Sequence, residues 1–243
     1  MLMLAAGSRL ACAAPCAYVT DTRAMLEGGV DPDNEMIWPG SLAKGIDYVD
    51  MLAGIAPVLA ARKDRFILVS MAAGLTMDQI RAMAGGEYPV LRIMPNTPAA
   101  LGCGMILMAL DERITGEDRD IFVDGLSAAG RFDELPEHLI DAGSAVSGCG
   151  PAFLYMFIEA LADGGVAVGL PRAKAQDYAA QMALGAARMV LESGQHPGAL
   201  KDAVCSPGGS TIMGVKALED GGFRGAVMNA VLDACRRTKE LGK

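Results

Sequence analysis

Between residues 66 and 135 the apolar positions fall into short, nearly continuous runs separated by stretches of helical character. Phe66-Ile67-Leu68-Val69-Ser70-Met71 is apolar at almost every position, the pattern of a parallel strand buried on both faces rather than one half exposed to water. Ala72-Ala73-Gly74 turns the chain, and Thr76 followed by Gln79 predicts a capping box that opens a helix running to about Ala84. Val90-Leu91-Arg92-Ile93-Met94 predicts a second strand, stopped by Pro95 and Pro98, and Met105 to Leu110 a third. Thr115 opens another helix, with Glu117 and Asp118 in its first turn where they complement the positive end of the helix dipole. Phe132 to Leu135 reads as a last short strand, so this half of the chain is α/β in rhythm.

After Pro136 no strand-like alternation persists, and four or five helices are expected. Phe153, Phe157 and Leu161 recur every fourth residue, as do Leu154 and Ile158, which gives a broad apolar face. Pro171 opens the next helix at its first turn and Gly194 ends it. The change of pattern sets a domain boundary near residue 137, with residues 1–136 before it and 137–243 after it. Ahead of residue 66 the order is weakest: Tyr18-Val19-Thr20-Asp21 reads as a short strand, but Gly28-Gly29, Pro32, Pro39-Gly40 and Gly45 break up the stretch between it and residue 46. No internal repeat or low-complexity segment is found.

Composition adds that the helices pack closely. Of 243 residues 52% are hydrophobic but only 5% aromatic, and the 30 glycines sit among Ala, Val, Leu and Met, so many closely packed helices are expected. The 21 basic and 29 acidic residues leave a net charge of -8 without a basic block, which argues against nucleic acid as a partner. No uninterrupted apolar run approaches about 18 residues, so no membrane partner is expected. Cys12, Cys16, Cys103, Cys149, Cys205 and Cys235 lack C-x-x-C spacing, and His138 and His196 do not complete a metal set; reduced, mostly buried thiols and no metal are expected. Residues 1–17 are apolar and Ala-rich, but no cationic region precedes them, so a secretory signal is not expected and the cytoplasm is.

The candidate chemistry lies in Ser206-Pro207-Gly208-Gly209-Ser210-Thr211, which leads into a helical Ile212 to Leu218. Two glycines at a helix start leave backbone N–H groups free and let a ligand approach closely, and Ser206, Ser210 and Thr211 add hydroxyls. Such a start binds anions, although the same residues also make a plain helix cap at a corner. A second small-residue run, Ser147-Gly148-Cys149-Gly150-Pro151-Ala152, stands in an otherwise helical stretch where each glycine costs about 1 kcal/mol relative to alanine. Two such clusters point to close approach by a ligand or by a second chain.

These segments occur in a recognisable order. S-G-C-G-P-A, A-L-A-D-G-G-V at Ala160 to Val166, G-L-P-R at Gly169 to Arg172, H-P-G at His196 to Gly198, L-K-D at Leu200 to Asp202, S-P-G-G-S-T and G-G-F-R-G-A-V-M-N-A-V at Gly221 to Val231 together resemble the pyrroline-5-carboxylate reductase family. Ser70 to Gly74 and Arg92-Ile93-Met94-Pro95-Asn96-Thr97-Pro98 resemble its cofactor-side loops, so the likeness covers about residues 54 to 243. It implies a Rossmann-like α/β domain with an incomplete parallel sheet, then an all-α dimerisation domain, in a homodimer or higher homo-oligomer.

The resemblance also implies a reaction. The family reduces the cyclic imine of 1-pyrroline-5-carboxylate to proline with NADPH or NADH, a step in proline biosynthesis. By likeness, the substrate carboxylate rests on Ser206, Pro207, Gly208, Gly209, Ser210 and Thr211, and the Thr211 hydroxyl delivers a proton to the ring nitrogen. Met71, Ala72 and Ala73 line the cofactor, and Pro95 and Asn96 approach its nicotinamide end. Hydride transfer to a C=N carbon needs two rings held face to face, with no catalytic His, metal or carboxylate pair. Cys149 stands where the family usually has Ser, with no His or cation nearby in sequence to make it a nucleophile.

The amino-terminal part departs from the family pattern. The strand and G-x-G-x-x-G-like turn that open a complete member are absent, Met1 to Ala14 would match the tail of the next helix, and Leu42-Ala43-Lys44-Gly45 is a distorted echo of the family's V-K-P-Q-like loop. A late start, a degenerate gene and a remodelled protein all stay open. The rival reading is a catalytically impaired homologue acting only as an oligomerising or carboxylate-binding protein. A hydroxy-acid oxidoreductase of the same plan would need a catalytic Lys early in the helical domain, where the nearest is Lys174. Cofactor preference stays open as well, since Asp21 favours a free ribose hydroxyl and Thr22 with Arg23 a 2′-phosphate.

Overall fold

Leu68–Ser70 (β1), Val90–Met94 (β2), Gly104–Leu110 (β3) and Gly130–Glu134 (β4) form a four-stranded sheet in the order β1-β2-β3-β4 in the computed structural model, which describes residues 48–63 and 65–242. β1 pairs parallel to β2 and β3 parallel to β4, but β2 and β3 are antiparallel, so the sheet is mixed rather than parallel throughout. Connection length decides this. The nineteen residues between β1 and β2, and the nineteen between β3 and β4, each accommodate a crossover helix, whereas the nine residues 95–103 are too few for the dozen or so a parallel return needs.

The crossover helices are Met77–Ala84 (α2) and Gly116–Gly125 (α3), and both open on the capping boxes read from the sequence. Thr76 Oγ1 accepts from the Gln79 amide at 3.2 Å while Gln79 Oε1 accepts from the Thr76 amide at 2.9 Å; Thr115 and Asp118 repeat the exchange at 3.2 and 2.8 Å. On one face of the sheet Leu68, Val90, Met94, Leu107 and Ala109 pack with Met77, Ile80 and Ala84 of α2, and on the other Leu91, Ile93, Ile106 and Met108 meet Phe122 and Val123 of α3. Period-two alternation along β2 thus feeds two cores.

Tyr48–Ala61 (α1) is a helix that the sequence pattern does not announce, because Gly54 and Pro57 stand in its interior. Leu52 and Leu59, two turns apart, bury against α2 and fix it on the sheet. Its carboxyl-terminal neighbour Arg65 makes a two-pronged ion pair with Asp118, both contacts at 2.7 Å, and its Nη2 also reaches the Arg113 carbonyl at 3.0 Å. The expected strand around Phe66 is shorter than its apolar run, since Phe66, Ile67 and Met71 flank the paired residues.

The remaining helices are Ile140–Ser147 (α4), Gly150–Ala167 (α5), Arg172–Ser193 (α6), Pro197–Ala203 (α7), Ser210–Asp220 (α8) and Phe223–Leu241 (α9), six where four or five are expected. The chain divides into two compact units: the described residues up to Gly148 with those from Ala234 onward, and Cys149–Asp233. In the second unit α5 and α6 approach through small side chains. Ala162, Ala175, Ala179 and Ala183 are buried, and a Cβ on Gly165 would stand 3.0 Å from that of Ala175. Gly194 closes α6 in the left-handed region, as predicted, but Pro171 is the N-cap residue rather than part of the first turn.

Candidate active site

Met71-Ala72-Ala73 and Pro95-Asn96 leave the carboxyl ends of β1 and β2, which are adjacent and parallel, so the sheet brings the two predicted cofactor segments side by side. Ser70 Oγ accepts from the Ala72 amide at 3.2 Å and holds the first turn of that exit; Ala72 is buried and Ala73 exposed. Gly74 comes next at φ 78, and a Cβ there would stand 2.5 Å from the Thr238 carbonyl oxygen and 2.8 Å from the Gly242 nitrogen. The end of α9 packs against this turn, and Gln79 Nε2 donates to the Gly242 carbonyl at 3.1 Å.

Asn96 uses its whole side-chain amide inside the protein: Nδ2 donates to the Ser147 carbonyl at 2.9 Å and Oδ1 accepts from the Met105 amide at 3.0 Å. Four residues earlier, Arg92 is a buried charge in β2, with 2% of its side chain exposed. Its Nη2 donates to Asp141 Oδ1 at 2.6 Å and Nη1 lies 3.8 Å from Glu137 Oε1, which also accepts from the Met77 amide at 2.5 Å. Removing one partner of such a buried pair strands the other charge. Arg92, Asp141 and Glu137 do not stand out in the sequence pattern as site residues, although one charge inside an apolar strand run is a signal that points to them.

The predicted substrate loop is placed in the second unit. Gly208 adopts φ 69, Gly209 is the N-cap of α8, and the Ser206 carbonyl accepts from the Gly209 amide at 3.0 Å. A Cβ on Gly209 would meet Ser206 Oγ at 2.3 Å, so glycine is required for the turn to close. No side chain caps α8, which leaves the amides of Ser210, Thr211 and Ile212 at the positive end of an eleven-residue helix, and Ser206 and Thr211 are exposed. The arrangement suits a carboxylate or another small anion. Lys201 is hydrogen-bonded to Asp202 and Arg224 to Glu219; each neighbour raises its cation's pKa, so both cations keep their charge in this unit.

Ser147–Ala152 forms the joint between α4 and α5. A Cβ on Gly148 would press the Ser144 carbonyl at 2.8 Å, whereas Gly150 faces open space, so the close approach expected of this cluster is accounted for within the chain at Gly148 alone. The thiols are not mostly buried as expected: Cys103 is exposed and Cys149, Cys205 and Cys235 are half-buried, because they lie in a loop, at helix ends and on a helix flank rather than on core faces. Among the described residues no group of three or more His, Cys, Asp and Glu side chains could hold a metal. Glu137–Ala167 is long and apolar enough to cross a membrane by composition, though the turn at Gly148–Cys149 divides it. Tyr18–Asp21 and Leu42–Gly45, with Cys12 and Cys16, lie outside the described residues.

Known proteins resemble the chain over both units. The family described as pyrroline-5-carboxylate reductase dimerisation matches residues 137–241. The pyrroline-5-carboxylate reductase of Glycine max is 46% identical over 192 residues, covering 79% of this chain and 69% of that protein. The Escherichia coli K12 enzyme of the same name is 41% identical over 193 residues, covering 79% of this chain and 72% of that protein. The crystal structure of Plasmodium falciparum pyrroline carboxylate reductase with NADP bound superposes with a TM-score of 0.74 at 35% identity, over 80% of this chain and 77% of that one.

Proposed function

We propose that the chain, which belongs to the pyrroline-5-carboxylate reductase family, reduces the C=N bond of 1-pyrroline-5-carboxylate to give L-proline, with NADPH or NADH as cofactor. It is an NAD(P)-dependent oxidoreductase of proline biosynthesis, and its helical part forms a homo-oligomer. The observation that carries the substrate half is the uncapped start of α8 behind Gly208 and Gly209, a built receptor for the carboxylate.

The exit of β1 fits the nicotinamide half of the cofactor: small Ala72 and Ala73 beside the exit loop of β2 leave a flat ring room between adjacent parallel strand ends. Met71, Ala72, Ala73, Pro95 and Asn96 are the residues proposed to hold it. When bound, the reduced nicotinamide supplies the hydride. On the substrate side, the Ser210 and Thr211 amides with Ser206, Pro207, Gly208 and Gly209 orient the ring by its carboxylate, and the Thr211 hydroxyl donates the proton at the ring nitrogen. Residues 137–243 serve as the substrate-binding and dimerisation domain, residues 1–136 as the cofactor domain, and the cytoplasm is the proposed location.

NADPH oxidation in the presence of pyrroline-5-carboxylate is the direct test, run beside a titration of NADPH alone. Thr211→Ala is expected to lower kcat by about a hundredfold, in the range of a lost general acid. An unchanged kcat removes Thr211 from the mechanism and leaves the carboxylate site standing.

A further inference from the structure

We propose that Asn96 is a positioning residue for hydride transfer: by tying Met105 and Ser147 together it holds the Pro95–Thr97 backbone in the shape against which the nicotinamide is set. The inference rests on the reading that these strand ends receive the cofactor. Asn96 stands at the N-cap of a short 3-10 turn, Thr97–Leu101, where an asparagine ordinarily folds back to accept from the turn's own amides. It makes no such cap bond. The backbone closes the turn instead, the Ala99 amide donating to the Asn96 carbonyl at 3.1 Å, and the side chain is released to reach partners nine and 51 residues away.

The orientation of the amide is fixed by its partners, since the Met105 N–H can only donate and the Ser147 carbonyl can only accept. Ser147 ends α4, and its carbonyl belongs to the last turn, which finds no donor within the helix. At the other end of α4, Asp141 is held by Arg92 of β2 at 2.6 Å. The helix is thus clamped to β2 at its first turn and to the exit loop at its last. It serves as a fixed reference from which one side chain sets the loop, before any ligand arrives.

Asn96→Ala removes both bonds, and Asn96→Asp keeps an acceptor for Met105 but turns a carboxylate oxygen on the Ser147 carbonyl. In ligand-free protein, hydrogen exchange at the Met105 amide is expected to rise about tenfold or more in Asn96→Ala, with α2 unchanged. In both variants kcat falls by about 10- to 100-fold, as for a misplaced reactant. KM for the imine stays within about threefold, and the primary isotope effect with deuterated NADPH increases. Thr115→Ala, which uncaps α3 in the same unit, serves as a destabilised control that retains kcat. Unchanged exchange in Asn96→Ala, or faster exchange with a wild-type kcat, overturns the positioning role while leaving the reductase reading intact. A wild-type protein that neither binds nor oxidises NADPH overturns both.

Discussion

The two units bury different things. The α/β unit covers large side chains on both faces of its sheet, with Ile80, Leu91, Val90 and Ile140 almost wholly inaccessible, while the buried hydrophobics of Cys149–Asp233 are Ala162, Ala175, Ala179 and Ala183. Helices α5 to α9 meanwhile expose Tyr155, Met156, Leu191, Met213, Met228 and Leu232. A fold whose interior is alanine leaves most of its hydrophobic stabilisation unrealised, at roughly 25 cal/mol per Å² of apolar surface still in water. The first unit carries its own core. The second finishes its core in the homo-oligomer of the dimerisation family, and the apolar character of Glu137–Ala167 has the same explanation.

The strongest way to break this contrast is to charge the unfinished face. Met228→Asp combined with Leu232→Asp places carboxylates one turn apart on α9, at positions 60% and 65% exposed in the single chain. In a symmetric assembly each substitution is repeated on the partner, and like charges brought together cost several kcal/mol. Sedimentation is expected to show a shift to monomer, with a melting temperature that no longer depends on protein concentration. A variant that remains fully associated would place the interface on other helix faces.

The converse substitution belongs in the first unit. Ile80 of α2 is 1% exposed and packs in the core between sheet and helix, so Ile80→Ala is expected to lower stability by about 2–5 kcal/mol in urea unfolding. The oligomeric state should not change. If it did, the first unit would depend on the partner as the second does, and the contrast would fall.

The same contrast governs how much of the molecule is legible in its sequence. Local signals survive into the structure: Thr76 with Gln79 and Thr115 with Asp118 form their capping boxes, and Gly194 ends α6 in the left-handed region. The S-P-G-G-S-T segment folds into an uncapped helix start because glycine geometry is a property of the segment itself. Features set by distant partners are not legible. β3 turns antiparallel because of the length of its connection, α1 forms across Gly54 and Pro57 because Leu52 and Leu59 find a core, and Asn96 bridges segments far apart in the chain. The exposed apolar faces of α5 to α9 look like ordinary amphipathic helices, since a sequence does not say whether a face is covered by its own chain or by another.

The smallest expected effect concerns electrostatics confined to the first unit. The Arg65 guanidinium, assisted by the Thr115 hydroxyl and amide, holds the Asp118 carboxyl well below the usual carboxylate range, against the opposing influence of partial burial. A carboxyl with a depressed folded pKa contributes its full stability above its unfolded value of about 3.9, and loses that contribution as pH falls toward the folded value. Because the Arg65 side chain is 51% exposed, solvent screening limits the pair to about 1 kcal/mol or less. Arg65→Met is therefore expected to lower the stability of the α/β unit slightly at pH 7 and to flatten its decline between about pH 4 and 2, with no effect on association. If the variant and the wild-type protein lose stability in parallel over that acid range, the pair is not the source of the depressed carboxyl. The acid sensitivity of this unit would then lie with the buried carboxylates around Arg92 and Arg81.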